Sequence, residues 1–152
     1  MRISAKTDYA VRAAVELAAV TDEHPLKSER ISQAQGIPLR FLENILVQLR
    51  QGGIVISRRG AEGGYRLADP ADQITVADVI RAIDGPLAAV AGERPEKLAF
   101  EGTAEPLRDV WVAVRASLRD VLEHVTLADL ASGALPEAVR GRTADPDAWL
   151  TR

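Results

Sequence analysis

The chain has 152 residues, 47% of them apolar, with no cysteine and a formal net charge of -3 at pH 7. That is the length of about one domain with its own buried core, and the apolar content excludes a disordered chain. The lack of cysteine excludes disulfides and thiol redox switches. No apolar run approaches a membrane span and no signal segment opens the chain, so a cytoplasmic protein with no membrane partner is expected. The net charge hides an asymmetry: residues 1–67 carry ten Lys/Arg against seven Asp/Glu, and residues 68–152 carry nine against fifteen. A basic half beside an acidic half suits a nucleic-acid-facing module joined to an assembly or sensing module.

In chain order, residues 7–20 predict a first helix that turns Tyr9, Val11, Ala14, Val15 and Ala18 inward. Residues 26–67 predict helix, turn, helix and hairpin. Ser28 can cap a helix over residues 29–35, Gly36 suits the turn, and Pro38 fits the first turn of the next helix. That second helix puts Leu42, Ile45, Leu46 and Leu49 on one face and leaves Arg40, Glu43, Asn44 and Gln48 largely opposite. After Gly52 and Gly53, residues 54–56 predict a strand and residues 65–67 its return partner, with Arg58 and Arg59 near the tip.

Further along, Thr75 with Asp78 and Thr126 with Asp129 each predict a capping box at a helix start. Residues 87–106 predict a loop. Leu107, Val110, Trp111, Val114, Leu118, Val121, Leu122 and Val125 then form an apolar stripe of more than four helical turns. A small winged helix does not need so long a helix for its own core, so a second subunit is the natural cover. The last twenty residues, from Gly133, contain Pro136, Gly141 and Pro146 and predict a loosely structured tail with a possible anchor at Trp149 and Leu150. The expected architecture is mainly α with a small β-hairpin wing: a winged helix-turn-helix over residues 1–86, a loop over 87–106, dimerisation helices over 107–132 and a tail over 133–152.

A winged helix-turn-helix usually places its second helix in a DNA major groove, with the N-terminal residues of that helix toward base edges. Here this points to Leu39, Arg40, Phe41, Glu43 and Asn44. Arg40 can fork onto guanine, Asn44 can read adenine, and Glu43 can accept from a cytosine amine. Arg58 and Arg59, beside Gly60, sit where a guanidinium enters a narrow minor groove. Ser28 and Pro38, at the two helix starts, complete the DNA-facing set. The bland alternatives are a surface ion pair between Arg40 and Glu43 at i,i+3 spacing, and Phe41 as part of the core.

Several segments go further. Met1-Arg-Ile-Ser-Ala-Lys-Thr-Asp-Tyr-Ala-Val-Arg-Ala, Gln35-Gly-Ile, Phe41-Leu-Glu-Asn-Ile-Leu, Arg59-Gly-Ala-Glu-Gly-Gly-Tyr and Ile74-Thr-Val-Ala-Asp-Val-Ile-Arg-Ala-Ile-Asp-Gly-Pro occur in order. Together with a Trp111 helix and Thr126-Leu-Ala-Asp-Leu, they resemble the family of iron–sulfur cluster regulators that includes IscR, NsrR and CymR. The resemblance covers about residues 1–132 and implies a homodimeric bacterial transcription factor on double-stranded DNA, for which a repressor is the expected role here. It carries DNA contacts over to Glu43 and Arg59. Relatives often have Tyr where this chain has Phe41, so a phenolic contact is missing.

In the cluster-binding members of the resembled family three cysteines lie in the loop corresponding to residues 87–106, and here that loop has none. The chain therefore resembles a cluster-free member, and CymR is similar in lacking the cysteine set. No cofactor is therefore expected. One branch of the family uses an aspartate at the position of Asp8 as a cluster ligand. Without the thiolates, Asp8 is better explained as a favourable charge at a helix N-terminus. His24 and His124 have no second ligand at metal spacing, so no metal site is expected. Gly60-Ala-Glu-Gly-Gly lacks the Gly-Lys-Ser/Thr of a phosphate-cradling loop, and no catalytic triad can be assembled, which speaks against an enzyme. Two classes stay open: a DNA-binding regulator answering to a small-molecule effector or a partner protein, and a winged-helix module that binds protein only.

Overall fold

The computed structural model describes residues 2–22 and 24–151; Met1, which opens the first matching segment, lies outside them. Among the described residues seven α-helices and one hairpin follow in order: α1 (Ala5–Ala18), α2 (Ser28–Gln35), α3 (Leu39–Gln51), β1 (Val55–Arg58), β2 (Gly64–Leu67), α4 (Val76–Asp84), α5 (Leu107–Leu122), α6 (Leu127–Ser132) and α7 (Glu137–Thr143). This is the winged helix fold, mainly α with a two-stranded antiparallel wing in which Val55 pairs with Leu67 and Arg58 with Gly64.

α1 forms the centre. It starts at Ser4, whose hydroxyl accepts from the Thr7 amide at 3.1 Å, and it buries Thr7, Ala10, Ala13, Ala14 and Leu17. Tyr9, Val11, Val15 and Ala18 pack against the core from its edge and are only partly buried. The inward face is thus turned about one residue from the expected one. Small alanines let α2, α3, α4 and α6 approach closely, an advantage that a search for large apolar residues overlooks. Leu42, Ile45, Leu46 and Leu49 of α3 are all at 1% exposure or less, and Ile31, Ile37, Ile54, Val55, Ile74, Val79 and Leu127 complete the same core. At roughly 1.5–3 kcal/mol for each large aliphatic side chain, this cluster is the main drive for folding.

Gly36 has φ +61°, the left-handed conformation that ends α2 and starts the turn into α3. Ser28 does not cap α2. Lys27 holds the N-cap position with no side-chain bond, and the Ser28 hydroxyl lies 3.4 Å from Glu29. Pro38 is the N-cap of α3 and stands just before its first turn; its carbonyl accepts from the Phe41 and Leu42 amides, both at 3.0 Å.

Both capping boxes form. Thr75 caps α4 through Asp78, and Thr126 caps α6 through Asp129. The two caps lie face to face, because the Val76 amide donates to Val125 and the Leu127 amide to Ile74, each at 2.9 Å. α6 is thereby pulled into the winged-helix core, with Leu127 fully buried. α5 differs: it has no buried residue, and Val110 is half exposed.

The stretch between α4 and α5 carries only short turns, at Pro95–Lys97 and Gly102–Ala104. The tail is more regular than expected, because Glu137–Thr143 is helical and Arg142 pairs with Asp120 of α5. Pro136 at its N-cap is compatible with that start. Trp149 and Leu150 do not anchor it; they are 73% and 62% exposed, and the Trp149 indole only donates to the Thr143 carbonyl at 2.8 Å.

Candidate nucleic-acid interface

Burial of one stripe of α3 fixes what its other face presents. Arg40, Glu43 and Asn44 are exposed, and Val47 joins them one turn on at 37% exposure. Positions i, i+3, i+4 and i+7 form a single row, so a cation, an anion, an amide and a small apolar group stand side by side. Arg40 and Glu43 form no ion pair among the described residues. Leu39 is half-buried at the start of the helix. Phe41 lies between core and surface: it is 42% exposed, and its ring meets Tyr9 edge-on at 5.7 Å and 85°.

The helix-turn-helix is braced from α1. The Arg12 guanidinium lies 5.3 Å from the centre of the Tyr9 ring, and its Nε donates to the Gln35 side chain at 3.0 Å. A second Arg12 nitrogen donates to the Gln35 carbonyl at the end of α2. Asp8, in the first turn of α1, accepts from Arg12 at 3.2 Å. One arginine therefore ties α1, the Tyr9–Phe41 pair and the turn together.

The wing is fastened to the other end of α2. Leu26 and Tyr65 exchange two backbone hydrogen bonds of 2.8 Å, so residue 26 lies beside β2 like a short third strand. Gly64 is required at that crossing, since a Cβ there would stand 2.5 Å from the Leu26 carbonyl oxygen. The Arg50 guanidinium donates to the Ser57 hydroxyl at 3.2 Å and joins α3 to β1. Between the start of α2 and the wing lies a cleft of about 440 Å3. Lys27, Ser28, Arg50, Arg58, Arg59 and Gly60 all line it, with Glu29 as its carboxylate. Four cations beside the first amides of α2 favour phosphate oxygens. Ser28, Arg58, Arg59 and Gly60 are thus brought together, whereas Arg40, Glu43 and Asn44 form the separate row on α3. Lys27 and Arg50 were missed, because nothing local in sequence shows that residue 27 and the end of α3 meet the wing. Val47 was missed because an apolar residue among apolar neighbours looks like core.

No group of three or more His, Cys, Asp or Glu placed to hold a metal occurs among the described residues. The loop over residues 87–106 offers Glu93, Glu96, Glu101 and Glu105 and no thiolate, a donor set that does not fit an iron–sulfur cluster.

Fold and surface define a winged helix-turn-helix protein of the transcription-regulator class. The particular family follows from sequence: the Rrf2 model, described as an iron-dependent transcriptional regulator, matches residues 3–133, and the chain belongs to that family. A Mycobacterium tuberculosis protein named as an HTH-type transcriptional regulator is 52% identical over 139 residues, covering 91% of this chain and 86% of that protein. CymR of Bacillus subtilis is 38% identical over 132 residues, covering 87% and 91%. Among solved structures, CymR, titled the global cysteine regulator of B. subtilis, superposes with a TM-score of 0.73 at 37% identity, covering 88% of this chain and 98% of that one. IscR of T. potens gives 0.71 at 31% identity, covering 100% and 93%. These relatives are named as regulators. No helix among the described residues is long and apolar enough to cross a membrane.

Proposed function

We propose that this protein is a homodimeric, sequence-specific DNA-binding repressor that acts in the cytoplasm on a pseudo-palindromic operator, without an iron–sulfur cluster and without enzymatic activity. The observation that carries the reading is the pairing of two surfaces: the Arg40, Glu43, Asn44 and Val47 row on α3, and the cationic cleft between α2 and the wing. In this reading the row enters the major groove. Arg40 reads guanine, Asn44 adenine, Glu43 a cytosine amine, and Val47 lies against a thymine methyl. Arg59 and Arg58 track the minor groove while Lys27, Ser28 and Arg50 hold phosphates.

Homodimer formation is supported by α5, whose apolar stripe includes Leu107, Val110, Trp111, Val114, Leu118, Val121 and Leu122, none of them buried within one chain. Two copies of that helix about a two-fold axis repeat α3 by the same symmetry, so half-sites fall about one helical turn apart or at a multiple. A module that binds protein only would be expected to show an acidic or apolar α3 face and wing tip. The arginines at 40, 58 and 59 favour DNA. Regulation by a small-molecule effector or a partner protein completes the reading.

The test is fluorescence anisotropy on promoter DNA from beside the protein's own gene, across a salt series. Specific, salt-steep binding is expected, and Arg59→Ala should weaken it by about 1–3 kcal/mol. Full affinity in the Arg59→Ala protein at fixed salt would contradict the placement of the wing.

A further inference from the structure

The acidic half of the chain gathers much of its positive charge in one place. Arg81 on α4, Arg94 in the following loop, and Arg115 and Arg119 on α5 line a cavity of about 430 Å3 together with Glu96 and the buried Leu87. Residues 68–152 hold only nine Lys/Arg against fifteen Asp/Glu, so this concentration runs against the local balance.

Three of the arginines are held in place from the rim. Glu96 pairs with Arg115, and Glu123 pairs with both Arg81 and Arg119, the latter at 3.0 Å. Asp78 adds a longer contact to Arg81 at 3.6 Å. The Glu96 and Glu123 carboxyls both lie below their ordinary value of 4.5. The leading cause is a backbone hydrogen bond for Glu96 and the Arg81 hydrogen bond for Glu123. Arg94 enters none of these pairs and reaches Glu96 only by longer-range attraction.

Each guanidinium offers five N–H donors, and the pairs engage only one or two of them. The cavity is therefore rich in unspent donors, with an apolar patch at Leu87, and its size falls within the roughly 300–1,000 Å3 of small-molecule sites. Arginine forks match carboxylate and phosphate geometry two bonds at a time. We infer that this cavity binds a small polyanion bearing carboxylate or phosphate groups, and that this ligand is the effector of the regulator proposed above.

Geometry supplies the coupling. Arg81 also borders a second cavity beside Gln48, Gln51 and Gly52 at the end of α3, while Arg115 and Arg119 belong to α5. A ligand that competes with Glu123 for Arg81 changes the hold of α5 on α4, and α4 abuts the end of α3.

Binding is measured first without DNA, so its failure and that of the operator reading are separable. Calorimetry at constant ionic strength uses citrate and pyrophosphate as probes. At least one should bind the wild-type protein with Kd below about 1 mM. Arg94→Gln and Arg119→Gln should weaken it about tenfold or more, and Arg140→Gln on α7, which lines neither cationic site, should leave it unchanged. Arg94→Gln disturbs no ion pair and keeps the test valid if Arg119→Gln unfolds. Binding of citrate alone assigns a carboxylate ligand, and of pyrophosphate alone a phosphate ligand. No heat from either probe at about 10 mM, or full affinity in Arg94→Gln, overturns the site. The bound probe should then shift operator affinity at least about threefold in wild type and not in Arg94→Gln; an unchanged affinity overturns the effector role.

Discussion

Of the thirteen residues in α3, four are buried to 1% exposure or less, whereas none of the sixteen in α5 is buried. Both helices are amphipathic, so the difference lies in what surrounds them. α3 is enclosed by α1, α2, α4 and β1, and its apolar face completes a core made entirely within one chain. α5 is held to the rest by exposed ion pairs such as Arg81–Glu123 and Arg115–Glu96, and by short contacts to the Pro95–Lys97 turn and α7. Exposed pairs contribute little to stability. One helix therefore completes its packing within one chain, and the other leaves its stripe partly exposed there.

The sharpest way to break the first half is Leu46→Ala. Leu46 is fully buried in α3, so the loss should be about 2–5 kcal/mol, read from urea unfolding at fixed protein concentration. A cost below about 1 kcal/mol would mean that α3 is not packed as described. The junction between the halves is tested by Thr126→Ala. It removes the hydroxyl that accepts from the Asp129 amide at 3.1 Å and should cost about 1 kcal/mol, with faster amide exchange in α6.

The smallest effect is expected with acid. The Glu96 and Glu123 carboxyls are lowered from 4.5 in the folded chain. Their contribution is fully present above that value and is lost as pH falls through the lowered ones. Melting temperature should therefore drop slightly below pH 4.5, and less so in a Glu96→Gln, Glu123→Gln double variant. An identical acid profile in the two proteins would show that these pairs do not hold α5.

What was legible in sequence was local. The α3 stripe, the Gly36 turn and both Thr-x-x-Asp caps are set by residues within one or two helical turns of each other. Ser28 was misassigned because side-chain preference favours serine over lysine at an N-cap, whereas the helix starts one residue earlier, with Lys27 at the cap as the backbone leaves the contact between Leu26 and Tyr65. The docking of α6 on the core, the cleft joining Lys27 and Arg50 to the wing, and the cavity of four arginines depend on segments far apart in sequence. Periodicity carries no information about such meetings. The tail was underrated because Pro136 and Gly141 looked like interruptions, although the proline only precedes its helix.

Light scattering on a Leu118→Glu protein decides whether α5 is covered by a second copy of itself. Leu118 sits in the middle of the α5 stripe and is half-buried in one chain, so a carboxylate there should be tolerated by a monomer and excluded from a paired interface. A monomer with an unchanged helical circular dichroism spectrum is expected, with an operator affinity reduced at least about tenfold. A Leu118→Glu protein that remains a tight dimer and binds the operator at full strength would contradict that pairing.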